Sequence, residues 1–313
     1  FVPFVVGSLG LKNLSVHVLW PVRLELVTRM LNQRQGGMLD ARDLTRTTMP
    51  SGQPRARGSV RVRAKVFNDR SVLDTLHQAG SLKVVFPRIA DGSLQAVTVN
   101  TAGGITGGDR FEATFEAPSE TVLTVTTQAA ERAYAAKDEI GRLTTTLRVE
   151  DGGSLNWLPQ ETILFEASHF ERNMHVDLGE DARLLFVEPL VFGRTARGEV
   201  LRDVTFRDRV TINRNGAPLF EDAMHLSGDV TAHMKRTAGD AGAFASVVCV
   251  APNAEAHLAS VRALLPSHGG ASLLQPDVLH IRLLAQDSFV LRQSLIPILG
   301  LLNAGPLPRV WMI

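Results

Sequence analysis

At 313 residues the chain allows one large domain or two smaller ones, and its 44% apolar and 21% charged residues exclude wholesale disorder and fibrous repeats. A formal net charge of +1 supplies no global field to hold nucleic acid or an anionic membrane, so neither is an expected partner. A single cysteine, Cys249, excludes an internal disulfide framework and a thiolate zinc cluster and points to a reducing, cytoplasmic setting.

Residues 1–56 read as an N-terminal extension outside the folded domain. Up to Gly58 the chain carries eight Lys/Arg against three Asp/Glu, leaving 25 against 29 for the rest. Phe1 to Leu31 is apolar enough to suggest an export signal, but Lys12, Asn13, His17, Arg23 and Glu25 interrupt it. The first residue is Phe, and Met49 opens the polar stretch MPSGQPRARG, so a start there would remove the compositional break. Order is expected from near Arg57, with 57–313 as the folded domain.

From Ser59 onward the dominant period is two, the mark of half-buried strands. In Arg110 to Ala117, Phe111, Ala113, Phe115 and Ala117 alternate with Glu112, Thr114 and Glu116. Arg142 to Glu150 repeats the alternation with Leu143, Thr145, Leu147 and Val149. Val200 to Ile212 does so again and ends at Asn215-Gly216, a hairpin turn signal, with Leu219 and Phe220 beginning the return strand. Cys249, inside the apolar run Ala245 to Ala251, reads as a buried inert thiol. Helical spacing appears at Asn253 to Leu265, with Asn253 as cap and Pro266 as stop, and at Ser288 to Leu302, where Pro297 is expected to kink or split the helix. Val278 to Ala285 reads as a strand between them. The chain is therefore mainly β, with two helices in its C-terminal part and no repeat of fixed length.

The most unusual stretch is Asn100 to Asp109, NTAGGITGGD, whose paired glycines Gly103, Gly104, Gly107 and Gly108 permit positive φ and close backbone approach. A sharp turn between two strands is expected. A phosphate cradle is the alternative, but no Lys-Ser/Thr and no helix follow, and Asp109 would repel an anion.

This segment resembles the hallmark of the UreD (UreH) family of urease accessory proteins. VLDTLHQAGSLKVVFPR (Val72 to Arg88), TTQAAERAY (Thr126 to Tyr134), WLPQETILF (Trp157 to Phe165), EPLVFGR (Glu188 to Arg194) and LPRVW (Leu307 to Trp311) resemble its other signatures in the same order. The resemblance covers most of Ser59 to Ile313. It implies an irregular β-helix-like stack of strands with two helices. It also implies a non-enzymatic metallochaperone scaffold that joins UreF and the GTPase UreG and docks on apo-urease. Nickel then passes through an internal channel, in transit and not as a tightly bound cofactor.

Nickel(II) accepts imidazole, carboxylate and water, so a relay requires scattered weak ligands and no closed cage. The nine histidines form no His-x-His or His-x-x-x-His pair. Four residues are candidates for the nickel path: Asp109, Glu188, Asp222 and His225. Asp109 has an equal alternative as a turn-stabilising carboxylate bonded to nearby N–H groups. Glu188 interrupts the apolar run Leu184 to Phe192 and requires a partner, with Arg194 as the structural alternative to a channel or cation. Asp222 and His225 cluster with Glu221 after the hairpin turn, where ordinary surface charge is the alternative. Glu131 and Arg132 lie in TTQAAERAY, with an ion pair between them as the structural expectation, and Glu161 lies in WLPQE. Trp157, Phe165 and Trp311 are apolar anchors for either the core or UreF.

Two other function classes compete with this one. A docking scaffold that never touches metal fits the same motifs. A carbohydrate-active enzyme using Glu161 and Glu188 as acid and base fits poorly, because one Tyr and three Trp give little aromatic platform for sugar rings.

Overall fold

A computed structural model describes residues 54–194, 197–303 and 305–312; the reading of residues 1–53 as an extension lies outside the described residues. Strand β1 (Arg57–Phe67) turns through Asn68 and Asp69, both at positive φ, into β2 (Arg70–Gly80). β3 (Leu82–Val85) and β4 (Leu94–Asn100) follow as an antiparallel pair. The chain then winds in coils. The first holds β5 (Arg110–Ala117), β6 (Val122–Thr127) and β7 (Glu131–Ala133). The second holds β8 (Gly141–Val149), β9 (Ser154–Leu158) and β10 (Thr162–Leu164), and the third β11 (His169–Leu178) and β12 (Arg183–Phe192).

Strand β13 (Val204–Arg214) and strand β14 (Ala217–Gly228) form the expected hairpin, with Asn215 at φ 48° and Gly216 at φ 76°. Both central residues are left-handed, as a tight two-residue turn requires. Helix α1 (Val230–Thr237), β15 (Ala243–Val250), α2 (Ala254–Leu264), β16 (Gly269–Gln275), β17 (Val278–Ala285) and α3 (Ser288–Leu302) complete the chain, before a short 3₁₀ turn at Arg309–Trp311. Among the described residues no helix is long and apolar enough to cross a membrane.

Equivalent strands of successive coils pair in parallel, so one sheet runs β14-β13-β11-β8-β5-β1-β2 and the other β16-β17-β15-β12-β9-β6-β4-β3. The short strands β7 and β10 pair with each other, and β10 with β12, making a third face. This is the stacked-coil β architecture implied by the family resemblance. Strands β5, β8, β11 and β13 begin at residues 110, 141, 169 and 204, so the coils differ in length and leave no fixed repeat in the sequence.

Two apolar layers hold the stack together. Between the sheets lie Phe111, Phe115, Leu147, Phe170, Phe186 and Phe206, all nearly inaccessible. On the far side of the second sheet, Leu185, Val187, Val247 and Cys249 pack under α2 and α3. β12 is covered on both faces, which explains its almost unbroken apolar run. Glu188 shares the inter-sheet face with Leu184, Phe186 and Leu190.

Among the described residues three helices form where two were expected. α1 buries only Val230 and Met234, too short a stripe to register as helical period, and is started by Asp229, whose carboxylate accepts from the Ala232 N–H at 2.7 Å. α3 runs continuously through Pro297, so of the kink or split expected there the split is not found. At the start of α2, the Asn253 side chain faces His257 at 3.0 Å and makes no cap hydrogen bond.

Candidate functional site

The period-two pattern that forms β11, β12 and β13 also carries charge into the core. On β11 the inward stripe reads Phe170, Arg172, Met174, Val176; on β13 it reads Phe206, Asp208, Val210, Ile212. Parallel register sets Arg172 directly beside Asp208. The guanidinium donates from Nε to Asp208 Oδ1 at 2.9 Å and from Nη2 to Oδ2 at 2.5 Å, while Nη1 donates to Glu188 Oε2 across the inter-sheet space. The indole Nε1 of Trp157 donates to the other Glu188 oxygen at 2.8 Å. Arg172 is 5% exposed, Glu188 7% and Asp208 14%, so this is a buried two-acid, one-base cluster. Burial pushes the Glu188 carboxyl up to about 7, partly offset by Arg172.

Two cavities meet at this cluster. A cavity of about 140 Å³ runs from the exposed Gln128 and Ala129, past Glu131, Thr145 and Gln160, to Arg172 and Glu188. A second, of about 20 Å³, continues from Arg172 and Glu188 past Asp208 and Ser246 to Asp222 and the exposed Ala223. The second volume is about that of one water. Glu131, Glu188, Asp208 and Asp222 thus succeed one another along the inter-sheet space. Glu131 accepts from Asn100 Nδ2 at 3.1 Å and from the Arg132 N–H at 2.9 Å, and burial holds its carboxyl above the usual range. The Gln160 Nε2, itself buried, has no hydrogen-bond partner in the structure.

The glycine segment forms the expected turn and carries the chain from β4 in one sheet to β5 in the other. Gly103 and Gly108 have φ of 79° and 84°. A Cβ on Gly104 would lie 2.2 Å from the Tyr134 ring, and one on Gly107 would lie 2.4 Å from the Glu139 carbonyl oxygen. Asp109 closes this turn: Oδ2 accepts the Thr106 N–H at 2.9 Å and Oδ1 the Ala56 N–H at 2.7 Å. It lines neither cavity.

Several sequence expectations are redirected by the structure. Glu188 does not pair with Arg194, which lies just beyond the strand end and binds Glu199 at 2.6 Å. Arg194 also stacks over the Phe165 ring at 4.5 Å. Glu131 and Arg132 form no ion pair, since consecutive residues of β7 face opposite ways. The pleat of β14 separates Asp222, half-buried and bonded to Arg282 at 2.6 Å, from exposed His225 on the opposite face. Glu161 stands 3.8 Å from Arg292 beside α3 and does not share a cavity with Glu188, so the two carboxylates do not form an acid–base pair. Trp157 and Trp311 are both core residues; the Trp311 indole donates to the Leu158 carbonyl at 2.9 Å under the Arg292 guanidinium. Cys249 is buried and its thiol is pushed up to about 11 by that burial. Arg172 and Asp208 escaped the sequence reading although each breaks an apolar stripe at period two.

Among the described residues no group of three or more His, Cys, Asp or Glu side chains is arranged to hold a metal ion. The fold and site define a coiled-strand protein whose two sheets enclose two cavities that share one buried arginine and one buried glutamate, Arg172 and Glu188, in their lining. Residues 56–312 match the family described as UreD urease accessory protein, and the chain belongs to that family. Curated relatives named urease accessory protein UreD include that of Ruegeria sp. (strain TM1040), 53% identical over 274 residues, covering 83% of this chain and 92% of the relative. The Roseobacter denitrificans protein is 48% identical over 271 residues (86% and 99%), and that of Rhizobium rhizogenes 42% over 260 (82% and 95%).

Proposed function

We propose that this chain is a non-catalytic scaffold for urease maturation that acts in the cytoplasm with UreF and the GTPase UreG, docks on apo-urease, and lets nickel in transit pass between its two sheets. Family membership supports the urease role. The observation that carries the nickel reading is the succession Glu131, Glu188, Asp208 and Asp222 along two cavities that meet inside the core. Carboxylates spaced this way suit a borderline cation that must be handed on, because none of them closes a cage. Nucleotide hydrolysis is assigned to UreG, consistent with the glycine turn lacking a phosphate-binding lysine.

The test is coexpression with apo-urease, UreF and UreG, followed by copurification and nickel analysis of urease. Omitting this chain is expected to leave urease nickel-poor. Glu188→Ala is expected to lower urease nickel while UreF and urease still copurify with the chain. Equal maturation without the chain refutes the central reading. Loss of nickel that always tracks loss of assembly favours a docking scaffold that never touches the metal.

A further inference from the structure

We propose that Arg172 is an internal plug and counter-cation: its guanidinium separates the two cavities and keeps Glu188 and Asp208 from trapping the dication that passes between them. The inference rests on the nickel-passage reading above and assigns the residue that makes that passage leave metal free.

The geometry supports a movable part in preference to a simple core tie. Arg172 and Glu188 line both cavities, so the guanidinium sits where the two would otherwise join. Its three nitrogens are committed to carboxylate oxygens on two different sheets, Asp208 on β13 and Glu188 on β12. Here two acids face one base, so the ionised cluster carries a net charge of −1 with the guanidinium in place and −2 when it withdraws. A divalent cation neutralises the second state and not the first. Arriving metal and guanidinium therefore compete for the same oxygens.

Withdrawal has somewhere to go. The cavity of about 140 Å³ adjoins the side chain, Thr162 Oγ1 lies 3.4 Å from Nη1, and the Phe206 ring centroid is 5.7 Å from the guanidinium carbon. Arginine suits the task because its charge persists under burial and its planar fork spans both acids, whereas a lysine ammonium is a point charge. Glu188 is held from behind by the Trp157 indole, so the carboxylate stays in place when the arginine leaves.

The experiment titrates nickel(II) alone into the purified full chain by calorimetry, comparing wild type, Arg172→Met, Arg172→Lys and the double variant Arg172→Met/Glu188→Gln. Folding of each is checked by circular dichroism. Removing the plug is expected to tighten nickel binding at least tenfold in Arg172→Met, and the double variant is expected to return to the wild-type value. Arg172→Lys, which covers one acid only, is expected to show a gain of about threefold. A folded Arg172→Met that binds nickel no more tightly than wild type overturns the proposal. If Arg172→Met does not fold, an unchanged affinity in folded Arg172→Lys does the same. Delivery is read separately, by urease nickel content after coexpression, where Arg172→Met is expected to lower loading because the chain retains metal. Urease that loads fully without this chain would refute the passage reading while leaving the affinity result intact.

Discussion

Replacing Glu188 by glutamine tests the balance of burial against pairing at the centre of the molecule. Burial raises the carboxyl from its ordinary 4.5 to about 7, with Arg172 pulling the other way and Asp208 adding to the rise. A folded state that holds a proton more tightly than the unfolded chain is most stable below the unfolded value. Stability then falls as pH climbs from about 4.5 towards 7 and levels off above it. Between pH 5 and pH 8 this one group lowers wild-type stability by roughly 2–3 kcal/mol as an upper bound, each pKa unit being worth about 1.4 kcal/mol. Glutamine cannot titrate, keeps an acceptor for the Trp157 indole, and leaves Asp208 paired with Arg172. The variant should therefore be destabilised at pH 5, by about 1–3 kcal/mol for a donor of Arg172 left facing an amide, and should approach or exceed wild type at pH 8. Urea denaturation of both proteins at the two pH values measures the difference. If Glu188→Gln costs as much at pH 8 as at pH 5, or more, then pairing with Arg172 dominates burial and the raised pKa is the wrong description of this carboxyl.

The glycine turn gives a contrast within two residues: Gly103→Ala meets open space and should cost only about 1 kcal/mol of left-handed strain, whereas Gly104→Ala drives a methyl into Tyr134 and the Arg132 carbonyl and should cost about 2 kcal/mol more by thermal unfolding. Asp109→Ala leaves the Ala56 and Thr106 N–H groups without their partner and should destabilise by about 2 kcal/mol or more. A variant that keeps wild-type stability yet lowers urease nickel would show instead that Asp109 acts on the metal. Cys249, buried with its thiol raised to about 11, should resist thiol-specific reagents at pH 8 until the chain unfolds, and rapid labelling of the native protein would refute its place under α2 and α3.

Period two was enough to place β5, β8 and β13 within a few residues, because each turns one stripe of alternate residues into the core. It could not find α1, whose two buried residues make no stripe, nor the coil repeat, whose turns vary in length. The site was half legible for the same reason. Glu188 stood out as a carboxylate inside an apolar run, and a search of its sequence neighbourhood offers Arg194 as partner. In a stacked coil, however, spatial neighbours lie across the same coil or one coil away, and sequence neighbours point elsewhere along the strand. The partner of Glu188 is Arg172, 16 residues back, and the partner of Arg172 is Asp208, 36 residues on, brought level by parallel register. Both had a local signal: a charge at an inward position between Phe170 and Met174, and another between Phe206 and Val210. An unpaired inward charge is too costly to stand alone, so three such positions on strands of a stacked fold should be sought as partners of one another before any sequence neighbour is considered. By that rule, the same three residues that interrupt the apolar stripes locate the buried charge cluster at which the two cavities meet.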